Sequence, residues 1–402
     1  MKKIQLIILV LSILLVSSTL GPGDKKKKDK TTKSKTVKLS SKNVLDRGLI
    51  KTDIEVDEII NNHAKYCDKC TSEKTFKNKI LGYVTPWNSR GYDMAKIFSN
   101  KINYIAPVWL QIQRLGRKKY QFTGTHDIDA NWLKTVKENS NNTAKFLPRI
   151  LFEKLKMDDV HALFNDEEEI QSLSKMLVKK SSDFGFDGYV FEIYLQLSGQ
   201  GKNNINHLVT DLAQMLHESG KVLFLVIPPP LTNLNKRDAT KEIIFDKEDF
   251  DYLKDLIDGF SLMTYDYYSH SSKIAPNAPI DWVQKNVEYF TDKPEYREKL
   301  YLGLNFYGMK FETDKKGRPV SQPEPLVGNS FIEFLKSNQV DFKYDEESEE
   351  HICISTNESK QTLVFYPTLH SIQKRIELAE MLGTGLSIWE LGQGLDYFYD
   401  LL

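Results

Sequence analysis

From residue 80 onward, short and nearly continuous apolar runs alternate with stretches whose apolar positions recur every three to four residues. The runs span residues 80–85, 102–109, 146–151, 188–193, 222–227, 259–263, 300–304 and 385–388. A strand with one wet face alternates apolar and polar positions, so unbroken runs predict parallel strands covered on both sides. Helical periodicity fills the gaps, as at 166–181, 207–219, 281–290 and 371–382. Eight strands, each followed by a helical stretch, predict an α/β fold of the (β/α)8 TIM barrel type over residues 80–402. A doubly wound open sheet would carry a Gly-rich loop after its first strand, which Gly82-Tyr83-Val84-Thr85-Pro86-Trp87 is not.

Residues 309–366 break the pattern. Short runs at 341–344, 352–355 and 362–366 are separated by turns rich in Asp, Glu, Ser and Asn, with a helical stretch at 331–336. They predict a small β-rich insertion between the seventh and eighth barrel strands.

The N-terminus has a different character. Lys2 and Lys3 precede an apolar run at 4–16 and the small residues Ser17, Ser18 and Thr19. This is the layout of a secretory signal peptide over residues 1–19. As a helix the run rises only ~20 Å, against a hydrocarbon core of ~30 Å, so cleavage is favoured over anchoring and no stable membrane span is expected. The reading puts the protein in the secreted or lysosomal space. Residues 20–45 read as a basic, disordered linker, and 46–79 as an N-terminal extension of the barrel.

Charge changes the picture only in detail. The chain of 402 residues has 55 Lys+Arg and 55 Asp+Glu, which argues against nucleic acid as a partner. Residues 24–42 hold nine Lys and two Asp, a net of +7, and residues 43–402 hold 44 basic and 53 acidic side chains, a net of −9. The sequons at Asn141 and Asn357 are candidate glycosylation sites in the secretory route. Cys67 and Cys70 have the spacing of half a zinc site, but no second pair follows; a local disulfide with Cys353 free is the simpler reading. No metal and no cofactor is expected.

On a barrel the active face lies at the C-terminal strand ends. Those ends carry Tyr83 and Trp87, Trp109, Arg149 and Glu153, Glu192 and Tyr194, Met263, Tyr265, Asp266 and Tyr267, Asn305 and Tyr307, and Trp389, Glu390 and Gln393. Aromatic faces beside carboxylates and amides suit sugars, whose C–H faces stack while their hydroxyls need partners. Plainer readings stand beside these: Trp389 as core, Glu192 as a buried acid paired with Arg149, Asp266 as a loop cap. His126, His161 and His217 fall on loops or polar helix faces and read as solvated.

The segment Phe186-Asp187-Gly188-Tyr189-Val190-Phe191-Glu192-Ile193-Tyr194 resembles the fourth-strand signature of the family 18 glycoside hydrolases, the chitinases, Asp-Gly-x-Asp-x-Asp-x-Glu. Leu262-Met263-Thr264-Tyr265-Asp266-Tyr267 is similar to the family's sixth-strand Met-x-Tyr-Asp element, and Ser387-Ile388-Trp389-Glu390 to its eighth-strand segment. The resemblance covers about residues 80–402. In this family the substrate's own N-acetyl oxygen is the nucleophile, and a carboxylic acid protonates the leaving oxygen. With a period of two, the signature's last three acidic positions share a face and fall here on Val190, Glu192 and Tyr194.

A phenol of pKa ~10 stands where the general acid is expected, and loss of such an acid typically costs ~10²–10⁴ in rate. The resemblance therefore implies a catalytically inactive, chitinase-like lectin for N-acetylglucosamine oligosaccharides, with lipopolysaccharide as a further ligand and a stabilin-type scavenger receptor as partner. It places substrate on Tyr83, Trp87, Trp109, Glu153, Glu192, Tyr194, Met263, Tyr265, Asp266, Asn305, Tyr307 and Trp389. The alternatives are a weak or altered glycosidase acting through Glu192, Glu153 or Asp266, and a protein-interaction scaffold.

Overall fold

The computed structural model describes residues 39–198, 200–232, 243–270, 274–357 and 359–402. The apolar leader and the Lys-rich stretch through residue 38 lie outside the described residues, as does Glu358 of the second sequon.

The strands in chain order are β1 (Ile80–Val84), β2 (Tyr104–Pro107), β3 (Leu110–Gly116), β4 (Lys119–Thr123), β5 (Lys145–Phe146), β6 (Arg149–Phe152), β7 (Gly188–Phe191), β8 (Val222–Ile227), β9 (Gly259–Leu262) and β10 (Leu300–Asn305). Then come β11 (Gly308–Asp314), β12 (Glu324–Leu326), β13 (Asp341–Asp345), β14 (Glu350–Thr356), β15 (Lys360–Phe365) and β16 (Gly385–Trp389). The large sheet has the order β4-β3-β6-β7-β8-β9-β10-β16-β1-β2-β5. β2 runs on into β3, and β5 runs on into β6 across Leu147–Pro148. Because β2 pairs with β5 and β3 with β6, the parallel strands close into the expected (β/α)8 ring. The β3–β4 hairpin is antiparallel and extends the sheet past the ring; its polar alternation, with Gln111, Gln113, Lys119 and Gln121, hid it among the loops.

Each barrel strand divides its side chains between two cores. Leu81, Tyr83, Ala106, Val190, Phe224, Val226, Tyr301 and Trp389 fill the barrel interior. Their sequence neighbours Ile80, Ile105, Tyr189, Leu225, Leu302 and Ile388 face the helices. Large interior rings need small residues opposite them: Tyr83 Oη donates to Ser261 Oγ at 2.9 Å, and Ser261 and Ser387 hydroxyls meet at 2.8 Å. Gly303 is required for a different reason, since a Cβ there would sit 2.4 Å from the backbone oxygen of Leu262 on the neighbouring strand.

The insertion is a separate antiparallel sheet of order β12-β11-β15-β14-β13, with a helix at Gly328–Ser337. It has five strands where the sequence suggested three. β11 was missed because charged Lys310, Glu312 and Asp314 alternate with buried Met309, Phe311 and Thr313.

The N-terminal extension is ordered earlier than expected. Ser40 bridges to Cys67, and Val44 is 1% exposed, so residues 39–45 belong to the folded body and not to a linker. Burial of Val44, Leu49, Ile59, Tyr66 and Phe76 accounts for this, at ~1.5–3 kcal/mol for each large side chain. Cys67 and Cys70 form the local disulfide, and Cys353 is free and buried. Asp400 accepts the Cys67 N–H at 2.8 Å and pairs with Arg47 at 3.3 Å, tying the extension to the last turn of the chain. Among the described residues no helix is long and apolar enough to cross a membrane.

Candidate functional site

At the C-terminal mouth of the barrel lies a narrow cleft that opens to solvent. It is lined by Tyr83, Glu192, Val226, Met263, Tyr265, Asp266, Tyr307 and Trp389. Seven of these eight were legible at strand ends. Val226 was not, since nothing in the apolar run of β8 marks its last inward position except the register shared with Phe224.

Trp389 ends β16 on the inward side of the strand, so its ring crosses the barrel floor rather than entering the helical layer. It is 9% exposed and packs on Tyr83 with ring centroids 5.0 Å apart, tilted by 53°. Opposite stand Tyr265 and Tyr307, edge to face at 6.3 Å. Aromatic surfaces with hydroxyl tips offer apolar faces and hydrogen-bonding edges together.

Two carboxylates enter this cleft, in different settings. Glu192 Oε2 accepts from Arg149 Nη1 at 2.7 Å, with both side chains largely buried. The pairing follows from register, since β6 and β7 run side by side with Arg149 opposite Val190. The alternative of a buried acid held by Arg149 is therefore correct as geometry, and Glu192 reaches the cleft as well. Among the described residues Asp266 has no basic partner. Its Oδ1 accepts the Tyr307 hydroxyl, and its own N–H donates to Asn277 Oδ1 at 2.7 Å. Burial pushes the Asp266 carboxyl up to about 6, against the opposing pull of the Tyr307 hydrogen bond. Asp266 O also accepts from Ser269 N at 2.9 Å at the start of the following turn, while its side chain faces Tyr307 and exchanges a proton within the mildly acidic range.

A pH effect follows from that position. Below about pH 6 the protonated Asp266 can donate to a ligand carbonyl, and above it the carboxylate repels one. A ligand that presents a carbonyl to Asp266 is expected to bind several-fold more weakly as pH rises through 6, and Asp266→Asn to flatten the profile. Calorimetric titrations between pH 5 and 7.5 would check this, a pH-independent affinity counting against it.

Several predicted site residues lie elsewhere. Tyr194 is the most consequential. β7 ends at Phe191, Ile193 leaves the extended region at φ −126°, ψ −38°, and Tyr194 opens a one-turn helix, Tyr194–Leu197. The period of two therefore fails just past Glu192. Tyr194 turns away from the cleft into the helical layer, fully buried, where its hydroxyl donates to Asn206 Oδ1 at 2.5 Å and its ring meets Phe245 edge-on at 4.8 Å. Val190 does point into the barrel.

Trp109 is also core. It packs against Trp132 and donates its Nε1–H to the Tyr92 hydroxyl at 2.6 Å, because the bend between β2 and β3 turns it outward. Glu153 accepts from the Thr123 hydroxyl at 2.9 Å and lines a separate groove with Arg114, Lys154 and Lys156. Asn305 is a brace, donating to Tyr307 O at 2.8 Å. Trp87 is 40% exposed and borders a second cavity with Gln393. Tyr267 packs on Trp282, and Glu390 is buried beneath the rim with Asn88 Nδ2 at 2.5 Å. Asn141 and Asn357 are both exposed. His217 is not free: its Nε2 meets Asp258 Oδ2 at 2.8 Å.

Solved structures share this architecture at low identity. A chitinase from Chromobacterium violaceum superposes with a TM-score of 0.66 at 18% identity, covering 81% of this chain and 97% of its own. A chitinase from Cycas revoluta, solved with (GlcNAc)3, gives 0.64 at 17% identity over 80% of this chain and 97% of its own. The spore cortex-lytic enzyme of Bacillus megaterium gives 0.65 at 17% identity, covering 80% of this chain and 72% of its own. These likenesses establish the fold. The family model for glycosyl hydrolases family 18 matches residues 79–394, and on that match the chain belongs to glycosyl hydrolases family 18.

Proposed function

We propose that the protein is a non-hydrolytic saccharide-binding member of this family, a lectin for N-acetylglucosamine oligosaccharides. The observation that carries the reading is the path of the chain after β7. The position where the family signature has its terminal acid is a phenol, and that phenol packs in the helical layer. The carboxylate nearest in sequence, Glu192, is engaged with Arg149. Burial also raises the Tyr194 hydroxyl well above its ordinary value, so it is an even poorer acid than a free phenol. The aromatic floor needs no acid to hold a sugar ring, and Tyr265, Asp266 and Tyr307 supply donors and acceptors around it.

A secreted or lysosomal location, glycans on Asn141 and Asn357, lipopolysaccharide as a further ligand and a stabilin-type receptor as sorting partner belong to the same proposal. They rest on the signal-like leader and on the narrower resemblance to stabilin-interacting chitinase-like proteins in residues 81–88, 261–267, 302–308 and 387–402. Calorimetry with chitotetraose tests the reading. Saturable binding with one site per chain is expected, and no heat above dilution would end it.

One observation favours a second reading. Burial holds the proton on Asp266 up to about 6, with no cationic partner among the described residues, which is the condition a general acid requires. Turnover of a chromogenic chito-oligosaccharide that Asp266→Asn abolishes would establish an altered glycosidase instead. For a pure protein scaffold, Trp389→Ala and Asp266→Ala would leave partner capture unchanged.

A further inference from the structure

Three parts of the chain meet on one buried imidazole. His351 sits on β14 of the insertion and is 1% exposed. Its Nε2 lies 2.8 Å from Thr52 O of the N-terminal extension. Its Nδ1 lies 2.9 Å from the hydroxyl of Thr368, which caps the last barrel helix, Leu369–Leu382. A carbonyl oxygen only accepts, so Nε2 carries the hydrogen toward Thr52. Nδ1 is then the acceptor, and the Thr368 hydroxyl donates to it while accepting the Ser371 N–H at 3.3 Å. This arrangement requires a neutral ring. A second proton, on Nδ1, would meet the Thr368 hydroxyl hydrogen head-on and turn it from its acceptor.

The surroundings offer a charged ring no relief. Phe342 and Tyr344 of β13 cover it, and His370 of the barrel helix stands edge-on with ring centroids 6.3 Å apart. Glu349 is engaged elsewhere, 3.6 Å from His370 Nε2 and 3.9 Å from Lys374 Nζ, and Glu377 also faces His370. Glu350, the preceding strand residue, pairs with Arg375 at 3.2 Å, and Lys51, beside Thr52, pairs with Glu58 at 3.1 Å. Burial holds His351 below the ordinary histidine value against the pull of the Thr52 bond, and the charge of His370 adds to it.

Thr52 lies in a strap, residues 48–62, tied at both ends. Arg47 pairs with Asp400 at 3.3 Å, and His63 O accepts from Tyr397 N at 3.1 Å. Between the ties, Leu49, Ile54 and Ile59 line a small cavity with Leu369, His370 and Tyr397, and helix Val56–Asn62 packs on helix Gly328–Ser337 of the insertion. Among the described residues, the bond to His351 is the only hydrogen bond from residues 48–62 to the insertion or the barrel.

We propose that His351 is an acid-operated pin: its protonation frees Thr52, and residues 48–62 lift from the insertion and the last barrel helix while the barrel stays folded. The proposal goes beyond the saccharide reading and does not depend on it. A histidine held below its ordinary 6.5 in the folded state stabilises fully above that pH and loses the contribution as pH falls. With one proton linked, opening of the strap rises about tenfold per pH unit below 6.5 until the native ring itself titrates. Asp400 and His63 also titrate, at the ties, so a permanently neutral residue at 351 separates their effect. Hydrogen–deuterium exchange of the intact protein is compared between wild type and His351→Gln at each pH, which cancels the intrinsic pH dependence of exchange. Gln offers Thr52 an N–H and does not titrate. The wild-type to variant ratio of opening in residues 48–62 is expected to rise about tenfold from pH 7.5 to 5.5, with the barrel strands unchanged. A constant ratio overturns the pin, and loss of protection in strap and strands together overturns a local opening. Should His351→Gln fail to fold, NMR titration of the wild-type ring decides. A value below 6.5, shared by the strap amides, is expected, and one at or above 6.5 contradicts the proposal.

Discussion

Tyr194→Glu is expected to cost the protein stability without conferring hydrolysis. An alignment makes this the obvious revival of a chitinase, since it restores the last residue of the fourth-strand signature. The structure makes it a core mutation. The new carboxylate would replace a ring packed on Phe245, and would face Asn206, whose amide already donates to Asp249 Oδ1 at 2.9 Å. Asp246 and Asp249 already push the Tyr194 hydroxyl upward by their charge, after burial as the larger cause. An unpaired carboxylate in such a place costs on the order of 4 kcal/mol or protonates instead. Chemical denaturation should show a loss of that order, with no chito-oligosaccharide cleaved. A stable, hydrolytic variant would mean that the chain after β7 can return its side chain to the cleft.

Trp389→Ala is expected to weaken chito-oligosaccharide binding by about 10–100-fold. The indole provides much of the apolar floor, and losing its stacked face removes ~1–3 kcal/mol of contact. Tyr83 would lose its ring neighbour at 5.0 Å as well, so the floor would loosen around the gap. Trp389→Phe should recover most of the affinity, which separates a lost platform from a lost fold. Equal affinity in all three forms would place the sugar elsewhere.

The barrel was legible because parallel strands buried on both faces leave unbroken apolar runs, and runs such as 222–227 and 385–388 need no partner to be recognised. Inward positions within strands were legible too, so Tyr83 and Trp389 fall where alternation puts them. Alternation carries no information past a strand's last residue. β7 is only four residues long, and the two residues after it decide where Tyr194 points. The same limit misplaced Trp109, at the bend between β2 and β3, and Glu153, just beyond β6. The second cavity was illegible for another reason. Gln393, Asn329 and His63 are distant in sequence and meet only when the insertion and the extension dock on the rim.

The account depends on a cleft that holds acetamido sugars and leaves their glycosidic bonds intact. The most direct measurement incubates concentrated protein with chitotetraose, follows tryptophan fluorescence for binding and assays the same sample for new reducing ends. Saturable fluorescence change with no reducing ends above buffer is the expected result. Steady release of reducing ends, abolished by Glu192→Gln or Asp266→Asn, would contradict it.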